Sequence, residues 1–230
     1  TERVGASATL EVVARVRALV AEGIEVVNFG AGEPDFPTPL GIVEAAATAA
    51  RQGKTRYTPA YGIPELREAF AEKIEELHGV KYDPEQEVAV TAGAKQAIFC
   101  ALMVVLRPGD RVVVPSPAWV SYSPMIRIAG GEPVPFLCRV EDDYVPDPER
   151  LLAQVTATGA KAVILNSPNN PTGTVYPEEV IRAVVEGASE KGFWVISDEV
   201  YDRLILDEME HVPPARFGKE RVLAAYSCSK

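Results

Sequence analysis

Five apolar runs in this chain each end on a polar or glycine-rich motif, and this repeated strand-then-motif pattern limits the fold more than any bulk property does. The motifs are Thr91-Ala92-Gly93-Ala94-Lys95, Ser116-Pro117-Ala118-Trp119, Asn166-Ser167-Pro168-Asn169-Asn170-Pro171-Thr172-Gly173, Ser197-Asp198-Glu199-Val200-Tyr201 and Ser227-Cys228-Ser229-Lys230. Runs such as Ala162-Val163-Ile164-Leu165 lack the polar alternation of a half-solvated strand, so they read as strands covered on both faces. Strands are expected at 26–29, 87–91, 111–115, 133–138, 161–166, 193–197 and 222–226. Helices are expected at 8–22, 40–52, 64–78, 94–106, 119–129, 148–157 and 177–191, with Pro64 suited to a first helical turn. From about residue 87 the two alternate, which predicts an α/β fold with a predominantly parallel central sheet flanked by helices. The expected boundary separates residues 1–40 from a main sheet domain over 41–230.

Composition narrows the function classes. Of 230 residues, 47% are hydrophobic and 24% charged, enough for a core without a metal or disulfide staple. A net charge of -10 with no basic stripe argues against nucleic acid and anionic membrane surfaces. The three cysteines have no metal-ligand spacing, and their odd count fits a reducing cytoplasm. Cys100 lies in the apolar run 97–106 and reads as a core residue; that run is too short to span a bilayer. The first residues do not lead into the apolar stretch of a signal peptide.

In open α/β sheets ligands bind outside the carboxyl ends of the strands, so the five motifs build one crevice. Lys230 is the candidate nucleophile, since an amine that is partly unprotonated forms a Schiff base; taken alone, such a lysine is a solvated surface residue. Asp198, after the run 193–196, can hold a proton on a heteroaromatic nitrogen, or can simply cap a helix. Tyr201 lies three residues on and can reach the same ring if the chain turns. The Asn169-Asn170-Pro171-Thr172-Gly173 stretch is a turn by composition, yet an amide there can donate to a phenolate-like oxygen. Gly93, Ala94 and Lys95 open a helix, whose N-terminus favours an anion, and Ser227 and Ser229 can add hydroxyls to it. Trp119 can stack on a flat ring or fill the core. Each signal is weak alone. Their order and placement together read as a pocket for pyridoxal 5′-phosphate.

At this point the chain resembles the class I/II aminotransferases of fold type I, and among them the bacterial aspartate aminotransferases. The resemblance rests on Gly30–Phe36, Arg56–Arg67, Asn166–Gly173, Ser197–Tyr201 and Ser227–Lys230, and covers nearly the whole chain. It implies an amino-group transfer between an amino acid (aspartate or glutamate) and a 2-oxo acid. It implies that Lys230 forms the internal aldimine and shuttles a proton, and that Asp198 pairs with the pyridinium. It implies further that Asn170 and Tyr201 bond the ring hydroxyl, that Trp119 stacks on the ring, and that Gly93, Ala94, Ser227 and Ser229 surround the phosphate. Lys95 is implied to hold the substrate's distal carboxylate, Gly32 to contact a substrate carboxylate, and Thr9 to lie on the substrate side. Tyr57 is implied to reach the phosphate of a partner subunit, hence a homodimer with shared sites.

Residues 1–40 are implied to contribute to a small domain. In the family the sequence continues well past this lysine, so the chain is expected to be a segment of a longer enzyme. The pair Gly5-Ala6 replaces a Lys-Pro often found before Ser-Ala-Thr, which counts against activity toward prephenate. Two other readings remain: a lyase of the same fold, performing elimination or C–S cleavage, and a non-catalytic relative or inactive fragment.

Overall fold

In the computed structural model of the chain, the structure describes residues 8–28, 32, 36–206 and 208–230, with residues 8–10 described by backbone only. The helices are α1 (Ala8–Ala21), α2 (Leu40–Arg51), α3 (Pro64–His78), α4 (Ala94–Val105), α5 (Tyr122–Ile128), α6 (Pro148–Thr158) and α7 (Glu178–Lys191). The strands are β1 (Arg111–Ser116), β2 (Glu132–Leu137), β3 (Ala162–Asn166), β4 (Trp194–Asp198) and β5 (Val222–Ala225). They form one sheet in the order β2-β1-β3-β4-β5, and every neighbouring pair is parallel. The expected α/β class with a parallel, helix-flanked sheet is what the chain forms.

Both sheet faces are covered because the strand residues are apolar on both faces. Side chains alternate along a strand. Val113, Val163, Leu165 and Val195 therefore pack with Leu151 and Val155 of α6 and Ile181, Val184 and Ala188 of α7. Their neighbours Val112, Val114, Ile164 and Ile196 pack with Ile98 and Leu102 of α4 and Tyr122 and Ile126 of α5. Local signals bound the helices. For α6, the Asp147 carboxylate accepts from the Arg150 N–H at 2.9 Å, Pro148 opens the helix, and Gly159 closes it at φ 62°.

Strand order positions the site. From β1 the chain moves outward to β2, then returns to the other side of β1 to lay down β3, β4 and β5. The direction reverses between β1 and β3, which opens a crevice beyond their carboxyl ends.

Four sequence expectations change. No strand forms over 24–28, and Phe29 lies outside the described residues. The run 87–91 is not a strand either. Its Val90 N–H donates to the Tyr61 carbonyl at 2.9 Å, and Gly62 (φ +97°) sits so close that an added Cβ would lie 2.7 Å from the Val90 Cβ. On that side β5 is the sheet edge, and no strand among the described residues runs beside 87–91; an extended run without a neighbour makes no ladder. Helix α5 starts at Tyr122 rather than 119, because Trp119 belongs to a turn in which its carbonyl accepts the Tyr122 N–H at 3.1 Å. Cys100 is exposed, not buried. It lies about 200° around α4 from Ile98, so the inward stripe of Ile98, Leu102 and Val105 turns it to the outside.

Among the described residues no helix is long and apolar enough to cross a membrane, and no cluster has the makings of a metal site.

Candidate active site

Four strand ends and one helix start converge on a cleft of about 600 Å³. It is lined by Gly32, Gly93, Ala94, Lys95, Trp119, Asn170, Asp198, Tyr201, Ser227, Ser229 and Lys230. The sequence reading named each of these eleven residues as a site candidate. Two other candidates are not brought there. Tyr57 is fully exposed and does not line the cleft. Thr9 falls in α1, and its side chain lies outside the described residues.

Asp198 ends β4 and is 4% exposed. Burial pushes its carboxyl above the ordinary range; the Tyr122 hydroxyl and the Val200 N–H pull the other way. The Tyr122 hydroxyl donates to Asp198 Oδ2 at 2.5 Å. The turn after Asp198 carries Tyr201 back to the cleft, where Asn170 Nδ2 lies 3.4 Å from its hydroxyl. Asn170 is itself held from behind. Its N–H donates to Asn166 Oδ1 at 2.7 Å, while Asn166 Nδ2 donates to the Asp198 carbonyl at 3.0 Å. The buried amide at the end of β3 thus ties the β3 and β4 motifs together.

At the other end of the cleft Gly93 adopts φ +84° and starts α4. The first N–H groups of a helix have no acceptor in it, so those of Ala94 and Lys95 are available to an anion. A Cβ built on Gly93 would meet nothing within 4 Å, so open space stands over this backbone. The Ser227 and Ser229 hydroxyls, 2.7 Å apart, line the same cleft. Trp119 forms its wall, with the Lys95 ammonium 4.8 Å from its ring centroid and the Tyr122 ring edge-on at 5.4 Å.

Sequence reasoning missed a second group of residues behind the site. Glu199 follows Asp198 and therefore faces the opposite side of the sheet, where it is fully buried. Its Oε2 lies 2.7 Å from His211 Nε2. Asp202 follows Tyr201 and meets His78 Nε2 at 2.8 Å. The chain's only two histidines thus brace the turn that carries Asp198 and Tyr201. The available signal was the position of Glu199, a carboxylate continuing a strand that is buried from Val195 onward. Replacing His211 with Ala leaves that carboxylate without its hydrogen-bond partner. The expected loss is about 1–3 kcal/mol of stability, measured by denaturant unfolding.

Residues 24–230 match the aminotransferase class I and II family. Over 224 residues the chain is 47% identical to the aspartate/prephenate aminotransferase of Thermus thermophilus, covering 97% of this chain and 57% of that protein. It is 43% identical over 225 residues to the aspartate aminotransferase of Thermotoga maritima, covering 97% and 59%. Among solved structures, aspartate aminotransferase from Thermus thermophilus with maleate superimposes with a TM-score of 0.95 at 46% identity, covering 100% of this chain and 60% of that one. The chain therefore spans somewhat more than half the length of these relatives. With a match across almost its entire length, the chain belongs to the aminotransferase class I and II family.

Proposed function

We propose that the protein is a pyridoxal 5′-phosphate-dependent aminotransferase that moves an amino group between aspartate or glutamate and a 2-oxo acid. One observation carries this reading: Lys230, Asp198, Asn170, Tyr201 and the start of α4 line the same cleft. The residues fit the cofactor. A buried carboxylate whose charge is disfavoured by desolvation suits a pyridinium nitrogen, which would compensate it. Open space over Gly93 and two free N–H groups suit a phosphate. When bound, the cofactor supplies a carbonyl carbon for the amino group and a protonated ring as electron sink.

Each side chain then has a task. Lys230 links to the cofactor and moves a proton at the substrate α-carbon. Asp198 keeps the ring nitrogen protonated, and Asn170 and Tyr201 donate to the ring oxygen. Trp119 covers one ring face and excludes water. Gly93, Ala94, Ser227 and Ser229 hold the phosphate. Lys95 pairs with the distal carboxylate of the substrate, while Gly32 and Thr9 lie on the substrate side.

The same reading makes residues 1–40 an arm and part of a small domain, and 41–230 the cofactor-binding domain. It also makes the protein a cytoplasmic homodimer in which Tyr57 serves the partner's site. Uncovered apolar surface supports the dimer: Leu40 and Ile42 on α2 are 70% and 60% exposed, and Val104 on α4 is 84% exposed.

The test is a half-reaction on the natural full-length chain loaded with pyridoxal phosphate. Aspartate should convert the cofactor to its amine form, and a 2-oxo acid should restore the original spectrum. Release of ammonia with the spectrum unchanged would instead identify a lyase. Prephenate belongs in the acceptor panel, since relatives carry it in their names and Gly5-Ala6 counts against it.

A further inference from the structure

We propose that Tyr122 is a positioning residue for Asp198, fixing which carboxylate oxygen faces the cofactor ring and holding the negative charge there; this rests on the functional reading above. Among the described residues, the hydroxyl of Tyr122 has one hydrogen-bond partner, Asp198 Oδ2 at 2.5 Å. Tyr122 is 1% exposed and Asp198 is 4% exposed, so water does not compete for this contact. A phenol buried this deeply, with its hydroxyl at the cleft, is an expensive choice for a packing residue unless the hydroxyl is used.

The two residues come from different elements. Tyr122 opens α5, and Asp198 ends β4. Oδ2 is taken by Tyr122, and among the described residues Oδ1 receives only a long contact from the Val200 N–H at 3.4 Å. Oδ1 is therefore the oxygen left for a ring N–H. The Tyr122 ring also meets the Trp119 ring edge-on at 5.4 Å. One side chain thus sets both the wall that covers the ring and the carboxylate that charges it.

The other titratable groups close to this pair are Tyr176 and Tyr201 beside Tyr122, and Glu199, which turns to the opposite sheet face from Asp198. Without the Tyr122 hydroxyl the Asp198 carboxylate is more basic and takes a larger share of the ring-nitrogen proton. The ring is then less cationic and withdraws less from the nitrogen of Lys230 joined to it. That nitrogen keeps its proton to higher pH.

Tyr122→Phe keeps the ring and its packing and removes only the hydroxyl. In the full-length protein, the dissociation constant for pyridoxal phosphate should rise about tenfold or more, as for a lost hydrogen bond to a charged group. The pH midpoint of the bound cofactor's visible band should move up by roughly half a unit. On an Asp198→Ala background, Tyr122→Phe should add no further weakening, because it acts through that carboxylate. Unchanged affinity and midpoint in Tyr122→Phe, even with a lowered melting temperature, would overturn the proposal and leave a structural role. Equal weakening with and without Asp198 would also overturn it. If the unsubstituted protein takes up no pyridoxal phosphate, the functional reading fails and this inference with it. Uptake with an unaffected Tyr122→Phe removes this inference alone.

Discussion

Replacing Lys230 with Ala is expected to abolish the visible band that arises from the link between Lys230 and the cofactor in the full-length protein and to lower turnover by at least about 10⁴-fold, the combined scale of losing a covalent partner and a proton-transfer group. The reason is positional. Lys230 lies five residues after β5, among Ser227, Ser229 and Gly93, in the cleft that holds Asp198. No other lysine of the chain shares that place except Lys95, whose ammonium is against Trp119. Asp198, Asn170 and the start of α4 remain intact in the variant, so cofactor binding should persist without the covalent link. Equilibrium dialysis separates the two effects. A small primary amine added to the variant should recover part of the lost rate by taking over the proton transfer. Turnover surviving in Lys230→Ala without added amine would show that another group does this work.

Asp198→Asn should lower the rate by on the order of 10²–10³-fold, comparable to removing one preorganised electrostatic contact from an active site. The amide fills the same volume but cannot hold the ring nitrogen protonated by charge. A second outcome separates function from folding. Burial raises the Asp198 pKa in the folded chain above that of the unfolded chain. The folded state then binds more protons in the window above the ordinary carboxyl pKa, so ionisation of this group erodes stability as pH rises through the folded value. The cofactor-free Asn variant escapes that loss. At neutral pH it should melt no lower than the unsubstituted apo-protein, while its activity is far lower. Thermal unfolding with and without pyridoxal phosphate checks this: unsubstituted protein should gain more from the cofactor than the variant does. Equal gains, together with unchanged kinetics, would remove Asp198 from the ring nitrogen.

Much of the site was legible because its residues sit where local patterns change. A continuous apolar run such as 162–165 marks a doubly covered strand, and the first polar residue after it marks the strand's carboxyl end. Asp198, Asn170 and Lys230 belong to the polar motifs that follow such runs, and the family resemblance assigned their roles. The run 87–91 has an apolar centre too, Val88-Ala89-Val90, but lacks a neighbour in the described sheet, and pairing is a property of two segments. Cys100 was misread by composition alone; helical geometry places it opposite Ile98. The start of α5 was misplaced because Trp119 spends its carbonyl on a turn.

What the amino-acid sequence determined by itself is the succession of strands and helices from 111 to 225 and the chemical kind of residue at each strand end. These follow from periodicity and turn-forming residues within a few positions of each other. The tertiary structure alone decided which of these ends meet. Tyr122 and Asp198 are 76 residues apart, and His78 and Asp202 are 124 apart. They come together because the strand order reverses between β1 and β3 and because the last turns of α3, with Ile74 and His78, pack against the side on which Glu199 and His211 are buried. No local propensity encodes such partners: a buried polar group takes whichever donor or acceptor the packed layers bring within about 3 Å.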